Sequence, residues 1–335
     1  MRRILPLFLA LLSLLAATPA WSATPASFRE GVAVFVEEMV QKHGLERKKV
    51  KELLSRAQYR QSIIDAISKP AEAKPWRDYR PIFLTRERIE GGEAYWRQHA
   101  GLVSSAAERF GVAPEMIVSI LGIETRYGAF MGKYSVLDAL ATLAFCYPKR
   151  AAFFRKELAE FLLLVEEEGL DPLQLKGSYA GAMGKGQFMP SSYRAYAVDF
   201  DGDGRRDLFG SEADIIGSVA NYFARHGWRR GAPVTARALA DERHDRFVEA
   251  GSKPSFTLGE LERAGITIAT PAPADAPVAL LRLDGAMGRE YWVGFSNFYT
   301  ITRYNNSSLY AMAAYQLSQE ILDLRRERNY DRRDG

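Results

Sequence analysis

Pro114-Glu-Met-Ile-Val-Ser-Ile-Leu-Gly-Ile-Glu124, continued by Thr125-Arg-Tyr-Gly128, is an apolar run that opens on a helix-starting proline and closes on a carboxylic acid. At about 100° per residue, Ile117, Ile120, Leu121 and Gly128 share a side with Glu124, whereas Ser119, Gly122 and Arg126 fall nearly opposite. The carboxyl is therefore expected to face inward, with Arg126 poorly placed to neutralise it. Burial without a cation penalises the ionised form and lifts the pKa above its ordinary value of about 4.3, so a proton stays available near neutral pH. A general acid has that requirement. The helix by itself fits equally a structural glutamate satisfied by backbone or hydroxyl donors.

The flanking sequence is helical on both sides. Val32, Phe35, Val36 and Met39, then Val50, Leu53 and Leu54, repeat at helical spacing and mark a helical region over 23–101. The densest helical stretch, 102–230, holds the Glu124 run and helices expected over Ser135–Ala144, Arg150–Glu168 and Ser211–Arg225. Over 231–302 the composition turns polar, passes through Ala269-Thr-Pro-Ala-Pro-Ala-Asp-Ala-Pro277 and then reads as strands at Val278–Leu283, Tyr291–Gly294 and Phe298–Thr302. A helix over 303–322, with Tyr310, Ala313, Ala314, Leu317 and Ile321 on one face, is expected to return to the core, and 323–335 reads as a solvated charged tail. The fold class expected is mainly α, of α+β type, with a small inserted β domain.

Composition bounds the setting. The 335 residues are 47% hydrophobic and 26% charged, enough for a sizeable core. Met1-Arg-Arg3, an apolar stretch from Ile4 to Leu15 and Ala20-Trp-Ser22 form a secretory signal over 1–22, so a soluble, exported, periplasmic protein is expected. The apolar run is short for a membrane span, so no stable membrane insertion is expected. Cys146 is the only cysteine, which excludes an intramolecular disulfide, and no cysteine near residue 20 can carry a lipid anchor. A net charge of +4 is too small for a nucleic-acid argument but suits an anionic polymer such as a cell wall.

Gly177-Ser-Tyr-Ala-Gly-Ala-Met-Gly-Lys-Gly-Gln-Phe-Met-Pro-Ser-Ser192 carries four glycines among polar and aromatic residues, a pattern for backbone passing close to a ligand or for a plain connector. A phosphate loop is excluded because Gly184-Lys185 is followed by Gly186, and a dinucleotide fingerprint because position 189 is Met. Asp199-Phe-Asp201-Gly-Asp203-Gly204 matches the first half of an EF-hand loop, with Arg205 able to offer its backbone carbonyl. Position 12 of that loop is Gly210 rather than glutamate, so an ordinary EF-hand is excluded. Asp207 is one candidate to complete it, and Ser211-x-x-Asp214 also reads as a helix cap. A structural Ca²⁺ is expected, because three clustered carboxylates repel one another without a cation; no organic cofactor is. The four histidines, His43, His99, His226 and His244, lack zinc-site spacing, and no serine-hydrolase elbow is present.

Ile123-Glu-Thr-Arg-Tyr-Gly128, Leu137-Asp-Ala-Leu-Ala-Thr142, Tyr147-Pro148, the whole Gly177–Ser192 stretch and Asn297-Phe-Tyr-Thr-Ile-Thr-Arg-Tyr-Asn305 together resemble the membrane-bound lytic murein transglycosylase B family. The resemblance covers roughly residues 30 to 322 and implies a lysozyme-like helical core, an added helical domain and a small β domain. It also implies cleavage of the MurNAc-β-1,4-GlcNAc bond of peptidoglycan without water, leaving 1,6-anhydro-MurNAc, with Glu124 as the single acid and base. Ser178, Gln187, Tyr222, Tyr304, Asn305 and Tyr310 match family positions lining the saccharide groove. Lys149 and Arg150 match a basic pair that meets peptide carboxylates, although arginine is usual at the first position. By the same resemblance, Asp214 closes a lengthened calcium loop with Asp199, Asp201, Asp203 and Arg205. The partners implied are peptidoglycan glycan strands, with cell-wall synthesis enzymes as candidates beyond them. Two rivals stay open: a hydrolytic muramidase on the same scaffold, and a non-catalytic, calcium-stabilised wall-binding protein.

Overall fold

Helices account for most of the chain, and the reason is visible where they pack. The computed structural model describes residues 24–69 and 74–334, with side chains to 330; the expected signal over 1–22 lies outside them. Five helices, Ala26–His43, Arg47–Ser55, Gln61–Ile67, Trp76–Phe83 and Arg86–Gln98, precede Ala100–Phe110, Pro114–Thr125, Val136–Cys146, Ala151–Glu168, Pro190–Tyr196 and Glu212–Arg225. Buried side chains from Phe28 to Ile321 form one continuous hydrophobic cluster, so the N-terminal helices share their core with the Glu124 helix. A boundary at 101/102 would cut the Ala100–Phe110 helix.

The Pro114–Thr125 helix is the centre of that core. It is flanked by Arg86–Gln98, Ala100–Phe110, Glu212–Arg225 and the C-terminal helix Ser308–Asp334. Every residue from Met116 to Ile123 is buried, so Ser119 and Gly122, on the side opposite Glu124, also face protein. Ser119 is satisfied by donating its hydroxyl to the Ala314 carbonyl at 2.6 Å. Gly122 is there because a Cβ would lie 2.4 Å from the Tyr127 hydroxyl. The helix stops before Gly128: Arg126 (φ 49°) and Tyr127 (φ 60°) turn left-handed, and their N–H groups cap the carbonyls of Gly122 and Leu121. Such backbone costs about 1 kcal/mol or more per residue. Burying Tyr127 between Tyr95, stacked at 5.5 Å, and the Arg88 carbonyl, 2.7 Å from its hydroxyl, offsets it.

Five antiparallel strands form the small sheet, in the order Phe256–Thr257, Pro277–Gly285, Gly288–Phe295, Thr235–Leu239, Thr267–Ile268. Along Pro277–Gly285, Val278 and Leu280 face a separate small core, whereas Leu281 and Leu283 join the large helical one. One expectation fails here: Phe298–Thr302 is not a strand but the centre of the helix Ser296–Tyr304. Its β-branched and aromatic residues favour strands, but burying Phe298 and Ile301 at helical spacing decides the matter. Asn297 fixes the entry by hydrogen bonds to Arg229 and Ala232.

The charged tail is also corrected. The last helix runs to Asp334, and Arg325 and Arg328 fold back onto Glu93, which is 3% exposed and also bound by Arg97 at 2.6 Å.

Candidate active site

Glu124 lies one residue before the end of the buried helix and, unlike its neighbours there, is partly open to solvent. Its Oε1 accepts a hydrogen bond from the Tyr310 hydroxyl at 2.5 Å. Burial pushes its carboxyl up to about 7, and the Tyr310 hydrogen bond pulls part of the way back. No other carboxylate and no cation contributes to that shift. The one cation of the glycine-rich stretch, Lys185, is turned away and paired with Glu212, which also accepts from Tyr95 at 2.6 Å.

Three segments separated in sequence close around the acid. Thr125, next to Glu124, donates to the Lys185 carbonyl at 2.8 Å and accepts from the Gly128 N–H at 3.0 Å, which staples the glycine-rich stretch to the helix end. Gln187, left-handed at φ 51°, donates to the carbonyls of Met131 (3.1 Å) and Gly184 (3.0 Å), which leaves its amide oxygen as an acceptor for a ligand. Gly177 must be glycine, since a Cβ would lie 2.2 Å from the Ala182 carbonyl oxygen. Tyr304 donates to the Gly186 carbonyl at 2.6 Å, and burial together with the nearby Glu124 charge holds its hydroxyl well above the usual tyrosine range. Tyr310 is raised for the same reasons, so both remain neutral donors.

The other expected residues separate by role. Tyr222 donates to the Arg303 carbonyl at 2.5 Å, packs on Tyr304 with ring centroids 4.7 Å apart, and stacks on His226 at 3.9 Å. Ser178 accepts from the N–H groups of Ala180 and Ala182, so its hydroxyl oxygen shapes the loop. Asn305 is exposed at the end of the Ser296–Tyr304 helix. Lys149 and Arg150 sit exposed on the turn Pro148–Arg150, where Arg150 lies over Phe153 at 4.2 Å. No contact ties that pair to Glu124 among the described residues.

Asp199, Asp201 and Asp203 come together, with one carboxylate oxygen of each within 4.8 Å of the others. Asp199 accepts N–H bonds from Gly202, Asp203 and Gly204, and Asp203 accepts from Arg205 at 2.8 Å. An all-oxygen donor set on a loop turned by left-handed Gly202 and Gly204 fits a hard divalent cation. Asp214 is outside that cluster and fully buried; its two oxygens accept from Phe200 and Asp207, both at 2.7 Å. It holds the loop's shape from beneath, while Ser211 caps the following helix and donates to Asp201 at 2.7 Å. Asp207 turns its carboxylate to the N–H groups of Phe209 and Gly210.

The family model for the transglycosylase SLT domain matches residues 27–319. The chain belongs to this family. Over 297 residues it is 46% identical to the membrane-bound lytic murein transglycosylase B of Escherichia coli (strain K12), covering 86% of this chain and 81% of the relative. It is similar in structure to the soluble lytic transglycosylase SltB1 of Pseudomonas aeruginosa, with 51% identity, a TM-score of 0.84, and 88% and 99% of the two chains covered. The Escherichia coli lytic transglycosylase Slt35 in complex with calcium matches at 44% identity and a TM-score of 0.80, covering 88% and 93%. The mainly helical, lysozyme-like fold class and the family resemblance read from the sequence therefore hold.

Within this transglycosylase framework, the sequence reading missed Tyr79. It lies on the Trp76–Phe83 helix, stacks on Trp76 at 6.4 Å and comes within electrostatic reach of Tyr310. Only a tyrosine three residues after a tryptophan hinted at it. Thr125 was also missed as a staple, because its partner lies in another segment.

Proposed function

We propose that this family member is a peptidoglycan lytic transglycosylase that cleaves the MurNAc-β-1,4-GlcNAc bond and leaves 1,6-anhydro-MurNAc. The observation that carries the reading is the Glu124 carboxyl at the end of a buried helix, hydrogen-bonded to Tyr310 and pushed up by burial, with no other carboxylate among the described residues contributing to that shift. Ordinary glycosidases place two carboxyl groups about 5–9.5 Å apart, one as acid and one as nucleophile or water activator. Here Glu124 protonates the glycosidic oxygen, and the bond from that oxygen to C1 breaks. The carboxylate so formed takes the proton from the C6 hydroxyl as O6 bonds to C1, which returns the acid to its starting state. Tyr310 stabilises the carboxylate between the two steps. Tyr304, Tyr222 and the Gln187 amide oxygen supply aromatic faces and hydrogen bonds for sugar rings. Asn305 and Ser178 border the same groove, and Lys149 and Arg150 meet stem-peptide carboxylates farther out.

The same reading assigns a structural Ca²⁺ to Asp199, Asp201 and Asp203, with the Arg205 carbonyl as a further ligand and Asp214 organising the loop. It is supported by the converging oxygens and by the calcium complex of Slt35. Export to the periplasm rests on the Met1–Ser22 pattern. No described helix is long and apolar enough to cross a membrane.

Digestion of purified peptidoglycan, followed by mass spectrometry, tests the reaction. Fragments ending in 1,6-anhydro-MurNAc, lighter by one water than hydrolysed ones, are expected, and Glu124→Gln should lower their yield by about 10²–10⁴-fold. Reducing MurNAc ends would make the protein a muramidase, and no release at all would favour a wall-binding protein.

A further inference from the structure

A cavity of about 580 Å³ opens where the Trp76–Phe83 helix, the sheet and the C-terminal helix meet. That size lies within the range of roughly 300–1,000 Å³ typical of ligand sites. Tyr315, Gln316 and Gln319 line it from the C-terminal helix. At about 100° per residue they sit roughly 120–180° round that helix from Tyr310, so the cavity is on the side away from the acid.

Its walls carry recognition chemistry. Trp292 is partly exposed; its indole N–H donates to Glu290 at 3.3 Å, and the Arg237 guanidinium lies 5.5 Å from its ring centre, so the aromatic face is held in place. Arg80 donates to the Gln316 amide oxygen at 2.7 Å, which leaves the Gln316 NH₂ as a donor. Arg77 is exposed and makes no ion pair among the described residues. A junction that only held the sheet to the helices would gain by closing over Trp292 and Tyr315. Partly exposed aromatic rings, an amide donor and a guanidinium free of ion pairs among the described residues suit a hydroxylated ligand that bears carboxylates, because the lining's own carboxylates are already engaged, Glu290 by Trp292 and Arg237 and Glu320 by Arg80.

We infer that this cavity is a second saccharide site, which binds a stem-peptide-bearing stretch of glycan while another stretch of the same polymer occupies the Glu124 groove. The inference rests on the proposed peptidoglycan substrate. Two contacts on one polymer make the second intramolecular and raise retention by up to about 10²–10⁴-fold.

Co-sedimentation with insoluble peptidoglycan measures this in the Glu124→Gln background, where the polymer stays whole. Adding Arg77→Glu, a change at an exposed position, should weaken retention at least ~10-fold. Lys51→Glu, an exposed reversal on the Arg47–Ser55 helix, should leave it unchanged. Equal retention with and without Arg77→Glu, or equal losses from both reversals, overturns the site. The indole N–H resonance of Trp292 should also shift as a soluble disaccharide-peptide is titrated in, and a Trp292 signal that stays still at saturation overturns it too. Native protein, with Glu124 in place, that is retained by the wall but yields no anhydro ends would sink the transglycosylase reading alone and leave the second site standing.

Discussion

In the proposed reaction, burial and one hydroxyl at Glu124 set the working pH. A carboxyl at about 7 is half protonated at neutral pH, so turnover that needs the acid falls as pH rises through about 7. Tyr310 donates to the ionised form and lowers the pKa; Tyr310→Phe should therefore move the alkaline limb of kcat to higher pH while reducing its height. A limb that stays in place or moves down would remove Tyr310 from the acid's environment. The same shift is a statement about stability. The folded state holds the Glu124 proton more tightly than the unfolded chain, so this contribution is complete below pH 4.5 and is lost as pH rises through about 7. Some solvent access reduces its size to about 1–3 kcal/mol. Glu124→Gln should consequently be more stable than the native protein at pH 8 by about that amount and no more stable near pH 4.5. Melting temperatures at the two pH values check this, and a variant less stable at pH 8 would contradict the buried, uncompensated carboxyl. The inward placement of Glu124 was legible from its helical run, whereas Tyr79 was not, because nothing near it in sequence refers to Glu124 or Tyr310.

One loop and one short helix show what local pattern does and does not specify. The Asp199–Gly204 pattern carried enough spacing to place three carboxylates together, since the loop's own glycines and N–H bonds bend it. What closes that loop was ambiguous in sequence, and packing turned Asp214 inward onto Phe200 and Asp207. If the loop holds Ca²⁺, the ion should raise the melting temperature and chelation should lower it, by about 2.7 kcal/mol at a free concentration 100 times Kd. Asp201→Asn with Asp203→Asn should abolish the gain; calorimetry with and without Ca²⁺ reads it, and an identical gain in the double variant would refute the ligand set. The Ser296–Tyr304 helix carries the opposite lesson. Its residues individually favour a strand, and their helical form comes from the partners of Asn297, Phe298 and Ile301, which a local reading does not see.

For the whole molecule, the C-terminal helix is the fastening. It packs on the Glu124 helix, brings Tyr310 to the acid and continues through residues read as a tail until Arg325 and Arg328 reach the buried Glu93. Removing one side of a buried ion pair strands the other charge. Truncation after Leu322 leaves Arg97 as the only cation on Glu93 among the described residues and removes the Arg325 contact with Trp96, 4.6 Å away. The loss should be about 3 kcal/mol by denaturant unfolding, at the lower end for a broken buried pair because Arg97 remains. A truncated chain as stable as the full one would return those residues to the status of a solvated tail.

The sequence by itself determined the helical class, the inward acid, the glycine-rich passage and the three-aspartate loop, because each depends on spacing within one segment of chain. Only the tertiary structure decided that the Glu124 helix is buried all round, that Lys185 is neutralised by Glu212 instead of lowering the pKa of Glu124, and that 298–302 is helical. It also made Tyr304 and Tyr310 neighbours of residues far earlier in the chain. Burial and charge pairing are sums over partners distant in sequence, and their outcome is fixed only when those partners meet.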